Sequence, residues 1–241
     1  MRVELEPAYV LHTRNYRDSS LIVEFLTPSY GRIAAVVRGV RANTKSAKQR
    51  RSLMQPFAPL TIGWGGKGDL KTLYDFESQT RAIALVGETL FSGLYVNELI
   101  TRLVGHHDEN RELFELYQQT LNALLGSQHI DVVLRFFEFN LLELLGYGLS
   151  FDAEAVTGTA IEDSCSYRFV ASKGFVLVEP LSIGIDIYRG DQINALAKRD
   201  FDESLRKVAK RLCRQALGFH LGEKPLKSRE LFKAVKAKVG R

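Results

Sequence analysis

The sequence predicts an α+β chain: an N-terminal β-barrel of the OB type, followed by a helical C-terminal domain with a small β-hairpin insertion. Three observations predict it. Five short β-prone stretches fall within the first 80 residues. A helical period begins near Glu88. That period breaks over residues 152–190 and resumes in a long basic helix. With 241 residues, one large or two small domains are expected. We expect an OB domain at 1–80 and a helical domain at 81–241, with the hairpin insertion at about 152–190.

The strands come first. Tyr9–Thr13 is short and β-prone, and Leu21–Leu26 is β-branched and apolar. Thr27-Pro-Ser-Tyr-Gly31 is turn chemistry, so Leu21–Leu26 and Ile33–Val37 form a hairpin. Residues 41–51 are polar and basic with no apolar period, which predicts a loop or mobile arm. Leu60–Trp64 and Leu70–Phe76 complete five strands, joined by a glycine-rich turn. A closed OB barrel fits them, with an SH3-like barrel as the near alternative. Tyr16, Tyr30, Trp64 and Tyr74 are candidate base-stacking rings, although most such rings belong to a barrel core.

The helices follow. Glu88–Val104 is apolar at 90, 91, 94, 95, 99, 100 and 103, and Arg111–Leu125 repeats the period. Ile130–Leu145 is apolar nearly all round, as a central helix is, and stops at Gly146-Tyr-Gly148. Tyr167–Val170 and Phe175–Val178 flank a turn and read as the hairpin. Residues 191–197 form a short helix, and Asp202 caps a longer one running to about Phe219. At 100° per residue, Arg206, Lys207, Lys210, Arg211 and Arg214 share one face of that last helix. Leu205, Val208, Ala209, Leu212, Cys213 and Ala216 share another.

Charge is segregated. Residues 1–80 carry 12 Lys/Arg against 7 Asp/Glu, and residues 81–160 carry 4 against 11. Residues 161–197 carry 3 against 5, and residues 198–241 carry 14 against 5. Two basic ends around an acidic middle suggest a polyanionic partner. Between Glu24 and Asp69 there is no acidic residue, yet Arg32, Arg38, Arg41, Lys45, Lys48, Arg50, Arg51 and Lys67 stand there. Cations stacked on the last helix repel one another, a cost that a phosphate backbone offsets by counterion release. An anionic membrane surface is the weaker candidate, because that helix has no Trp/Phe wedge on its apolar face. No apolar run reaches the ~18 residues of a spanning helix, and no secretory h-region follows Met1. Two cysteines 48 positions apart exclude a disulfide framework and predict free thiols in a reducing, cytoplasmic setting.

Catalytic signatures are missing. Gly63–Gly68 lacks the spacing and the Ser/Thr of a phosphate loop, so it reads as a turn exposing Lys67. His106 and His107 are adjacent and cannot share a helix face, and Asp108 reads as a helix cap. His12, His129 and His220 are isolated. A binder is expected rather than an enzyme such as a metal-dependent nuclease, with no catalytic residue, metal or cofactor. An OB-fold RNA-binding or ribosome-binding factor is the alternative binder.

Four segments, in order, then stand out together: Tyr9–Arg14 with Tyr16–Leu21, Leu53–Phe57, Phe91–Leu99 and Gly222–Glu230. With Leu145–Gly148, they resemble the RecO family of bacterial DNA repair and recombination mediators. The resemblance implies an OB fold followed by a helical domain, and binding of single- and double-stranded DNA with annealing of complementary strands. It also implies partners: the acidic C-terminal tail of the single-stranded DNA-binding protein SSB, RecR and, indirectly, the recombinase RecA, at the nucleoid and not at a membrane. On this resemblance Arg38 and Arg41 are the foremost barrel contacts, Lys224, Lys227 and Arg229 form the matching C-terminal motif, and Arg135 meets the SSB tail. Asp131 and Glu138 could instead hold Arg135 as a helix pair. Some family members bind zinc through four cysteines in the region of residues 152–190. This chain has only Cys165 there, so no zinc is expected and packing must hold the hairpin.

Overall fold

Alternating apolar residues along five strands close a barrel around one core. In the computed structural model, which describes residues 2–78, 80, 83–180, 182–199 and 201–239, the strands are β1 (Arg2–Tyr16), β2 (Ser20–Thr27), β3 (Gly31–Val37), β4 (Pro59–Gly65) and β5 (Leu70–Ser78). Their order around the barrel is β1-β2-β3-β5-β4, closed by β4 against β1, and β3 runs parallel to β5. This is the expected OB arrangement. Val10, Val23, Phe25, Ile33, Ala35, Leu60, Ile62 and Trp64 fill the interior. β1 is longer than its β-prone centre, because Tyr9 is where it passes from pairing with β4 to pairing with β2.

The β2–β3 turn uses the predicted chemistry. Thr27 Oγ1 donates to Gly31 O at 2.9 Å and accepts from Tyr30 N at 3.2 Å. Gly31 has φ +59, and a Cβ there would stand 1.9 Å from Asp108 O, so only glycine fits. Residues 41–51 differ from expectation: most of them form helix α1 (Lys45–Ser52), with Thr44 Oγ1 accepting from Ala47 N at 3.1 Å. Only Ala47 of this helix is buried, so no apolar stripe announced it; the cap starts it instead.

The chain divides into two compact units, Met1–Ser127 with Pro225–Arg241, and Gln128–Lys224. The expected domain boundary at 80 lies beside residues 79, 81 and 82, which are outside the described residues. The first unit adds helices α2 (Gly87–Leu103), α3 (Arg111–Gly126) and α7 (Lys227–Val239) to the barrel. A buried polar chain ties helices to barrel: Tyr117 OH donates to Asn97 Oδ1, and Asn97 Nδ2 donates to Leu11 O, both at 2.7 Å. The cap of α3 is Asn110, which accepts from Leu113 N at 2.8 Å, and not Asp108, whose backbone packs on Gly31.

The sequence does not announce helix α7, because charged Lys227, Arg229, Glu230 and Lys233 interleave with Leu231 and Val235, which stay exposed. It is held by Phe232 against Phe91 (ring centroids 5.7 Å apart) and by Glu98 of α2. Glu98 accepts from Lys227 N and Ser228 N at 2.9 Å and from Ser228 Oγ at 2.6 Å. A carboxylate at a helix N-terminus satisfies otherwise orphaned N–H groups. Burial raises the Glu98 pKa, but the Ser228 and Lys227 hydrogen bonds and Arg102 outweigh it, leaving it below the ordinary 4.5. A lowered carboxyl pKa stabilises above its unfolded value, and that stabilisation is lost as pH falls through the folded value. As pH falls from 4.5 through the lower folded value, the hold of Glu98 on the α7 N-terminus is therefore expected to weaken and α7 to fray more readily, and Glu98→Gln to remove this pH dependence. Limited proteolysis after residue 221 against pH measures it.

In the second unit, helix α4 (Ile130–Leu144) is central and ends before Gly146 at φ +78. The hairpin pairs β6 (Ser166–Val170) with β7 (Gly174–Val178), and a third strand, β8 (Ile187–Arg189), lies on the other side of β6. The aromatic rings of Phe151, Phe169, Phe175 and Tyr188 pack beneath it. Glu154, 3% exposed, pins the approach to the hairpin by accepting from Val156 N, Thr157 N, Thr157 Oγ1 and Leu177 N. Helices α5 (Gly190–Ala197) and α6 (Glu203–Leu221) follow, and Asp202 caps α6 through Leu205 N at 2.7 Å. Cys213 lies on the apolar face of α6, where burial pushes its thiol well above the ordinary 9.0.

Candidate nucleic-acid interface

Three segments of the first unit converge at one end of the barrel: the β1–β2 turn, the end of β3, and the lead into α1. Leu21 pairs with Val37, so Arg38 leaves β3 beside the turn. Arg41 N donates to Ser19 O at 2.8 Å, and Arg41 Nη1 donates to Arg17 O at 2.9 Å. Arg38 is exposed, and no described residue pairs with its guanidinium. Lys45, Lys48 and Arg51 are also exposed, whereas Arg50 lies over the Phe76 ring at 4.9 Å. Arg17, Arg38, Arg41, Lys45, Lys48, Arg50 and Arg51 share these segments with one carboxylate, Asp18. Such an excess of positive charge beside a barrel surface focuses a field that attracts polyanions.

Arg17 joins this cluster from outside the acid-free stretch. Asp18 follows it directly; the hairpin register brings it to Arg41. Its guanidinium stands 5.2 Å from the Tyr16 ring centroid, so a stacking ring and a cation are paired at the turn. Trp64, in contrast, is 2% exposed and packs edge-on against Tyr30, and it is core. Tyr74 is exposed on β5.

Two of the basic barrel residues stand apart from this cluster. The Arg32 side chain is 13% exposed, 3.5 Å from Glu24 Oε2, which His106 Nε2 also approaches at 3.0 Å. Burial lowers the Arg32 pKa and Glu24 restores part of it, so this guanidinium is committed inside the fold. Lys67 is exposed in the turn between Gly66 (φ +121) and Gly68 (φ +80). That turn enters β5 beside Ala34, about 13 Å along β3 from Arg38.

At the C-terminal end, Lys227 is exposed with its N–H on Glu98, and the Arg229 guanidinium lies 5.3 Å from the Tyr95 ring centroid. In the second unit, Lys224 is exposed. On α6, Lys207, Lys210 and Arg214 are exposed without a described partner. Arg206 donates to Phe201 O, and Arg211 donates to Ile187 O at 3.0 Å while lying 4.3 Å from the Tyr188 ring centroid. Burial pushes the Tyr188 hydroxyl up to about 12, against the pull of Arg211. Arg135 of α4, 7% exposed, donates through Nη2 to Glu138 Oε1 at 2.6 Å, and its Nε has no partner among the described residues.

The chain matches the family model for the N-terminal part of recombination protein O over residues 1–80, and the C-terminal model over residues 85–230. It belongs to the RecO family. A DNA repair protein RecO of Psychromonas ingrahamii is 41% identical over 235 residues, 97% of this chain and all of the relative. Those of Nitrosococcus oceani and Cellvibrio japonicus are 44% and 42% identical, covering 98% and 96% of this chain and 95% and 98% of their own. Family membership makes this a DNA repair and recombination protein that mediates without catalysing bond chemistry. Among the described residues, no three His, Cys, Asp or Glu side chains are grouped to hold a metal ion, and no helix is long and apolar enough to cross a membrane.

Proposed function

We propose that this RecO-family chain is a DNA-binding recombination mediator that anneals complementary strands on SSB-coated single-stranded DNA and, with RecR, helps load RecA. The observation that carries the DNA reading is the cluster around Arg38: seven cations against one carboxylate at the β1–β2 end of an OB barrel. Phosphates bound there release counterions, and screened strands approach closely enough to pair. Lys207, Lys210 and Arg214 on α6, and Lys224, Lys227 and Arg229, supply further phosphate contacts. Arg32 and Arg211 support their surroundings from within. For the acidic SSB tail, the proposed cation is Arg135 of the helical unit, shared with Glu138, to which it already donates.

Reversing Arg38 and Arg41 to Glu tests the DNA reading. Affinity for single-stranded DNA should fall at least about tenfold, and the slope of log K against log salt should shrink by roughly 2. The thermal midpoint should move by less than about 3 °C, since Arg38 is exposed and half-buried Arg41 gives up a hydrogen bond that is itself exposed. Unchanged binding would remove this cluster from the interface. RNA of equal sequence binding as tightly as DNA would favour an RNA-binding or ribosome-binding role.

A further inference from the structure

The barrel carries a second surface of opposite character, and its reading is independent of DNA binding. A groove of about 260 Å³ lies over the outer side of β4, between β1 and β5. Both walls are bulges. The β1–β4 ladder jumps from Val3 to Glu6, and the β4–β5 ladder shifts at Gly63/Trp64. The first bulge sends Leu5 into solvent at 78% exposure, and the second leaves Tyr74 56% exposed. Gly63 forms part of the floor, where any side chain would narrow the groove beside Val3 O and Asp75 Cβ.

Thr61 forms the polar part of the floor. Leu60, Ile62 and Trp64 point into the core, so strand alternation turns Thr61 outwards under the groove. Thr61 is 8% exposed, yet its hydroxyl has no hydrogen-bond partner among the described residues. A buried hydroxyl without a partner is uncommon and marks a place for a missing polar group. The rim is acidic, with Glu4, Asp75 and Glu77 against Arg2 alone.

Arg2 shows what this rim recognises. Its exposed guanidinium lies 2.8 Å from Glu4 and 5.9 Å from the Tyr74 ring centroid, between a carboxylate and an aromatic face. That pairing selects a planar cation. Phosphate is repelled by the same three carboxylates, so nucleic acid does not fit. β4 is paired on both sides, so an incoming chain cannot extend the sheet here and must lie across its outer face.

We propose that this groove docks an arginine-bearing extended segment of a partner protein. Its guanidinium replaces Arg2 between Tyr74 and the carboxylates, its apolar neighbour packs on Leu5, and a backbone group reaches the Thr61 hydroxyl. The probe is a fluorescein-labelled eight-residue peptide alternating Arg and Leu, measured by anisotropy against the full chain. Saturable binding is expected, with the Glu-for-Arg peptide at least tenfold weaker. Glu77→Lys should weaken binding about tenfold, and Thr61→Val, which leaves charge unchanged, about threefold. Leu5→Asn, which the φ of +57 at this position accepts, should weaken it about fivefold without lowering the thermal midpoint. Arg2→Ala should tighten it about threefold by removing the resident competitor. Single-stranded DNA affinity should stay within twofold for Thr61→Val and Leu5→Asn, which separates this site from the Arg38 cluster. Absent binding, or binding indifferent to Thr61→Val and Leu5→Asn, overturns the proposal. So does self-association of the chain that Leu5→Asn abolishes, because the occupant would then be a second copy.

Discussion

Arg135→Ala is expected to cost about 3–5 kcal/mol and to lower the thermal midpoint by about 10 °C or more. The Arg135 and Glu138 side chains are 7% and 1% exposed, and Arg135 donates to Glu138 at 2.6 Å. Removing the guanidinium takes from a buried carboxylate the cation that donates to it at 2.6 Å. Breaking a buried ion pair from one side costs far more than an exposed helix pair is worth. Replacing both residues by apolar ones of similar volume, Arg135→Met with Glu138→Leu, should restore most of the loss. Chemical denaturation of the three proteins measures this. The double variant also decides the role proposed for Arg135. It keeps the fold without the cation, so it should fail to bind an SSB tail peptide; retained binding would confine Arg135 to holding the helices together.

Asn97→Leu is the second large effect, at about 2–5 kcal/mol. Leucine fills a similar volume but offers no polar atoms. Leu11 O loses the donor it takes from Asn97 Nδ2, and Tyr117 OH loses its acceptor, both in the closed interior of the first unit. Each unsatisfied buried group costs about 1–3 kcal/mol. Burial already drives the Tyr117 hydroxyl well above its ordinary 10.0, so ionisation offers no escape. Tyr117→Phe alone should cost less, and in the double variant the two losses should not add, because they share one hydrogen bond. A double-mutant cycle by urea denaturation reads that coupling.

The strands that bury every second residue were plain in the sequence, and so were the helices with a continuous apolar face. The elements that the sequence does not announce lack such a face. α1 buries only Ala47, α7 rests on Phe232 and on the distant Glu98, and β8 is three residues long. The sequence shows only the centre of β1, because Glu4, Glu6 and Pro7 interrupt its apolar pattern just where the strand bulges. Among the basic residues, sequence alone could not separate Arg32 from Arg38. Both stand in the acid-free stretch, and Glu24 reaches Arg32 only because β2 pairs beside β3. Arg135 showed its possible partner at i+3, but not that the pair would be enclosed.

The return of the final helix to the first unit has a consequence for biosynthesis. Residues 128–224 form a body of their own, complete in sequence before Phe232 is translated. The barrel unit, begun first, waits for its last piece until Phe232 clears the ribosome and seats against Phe91. A nascent chain stalled near residue 224 would thus present the docking face of α2 bare, a window in which chaperones would be expected to engage it.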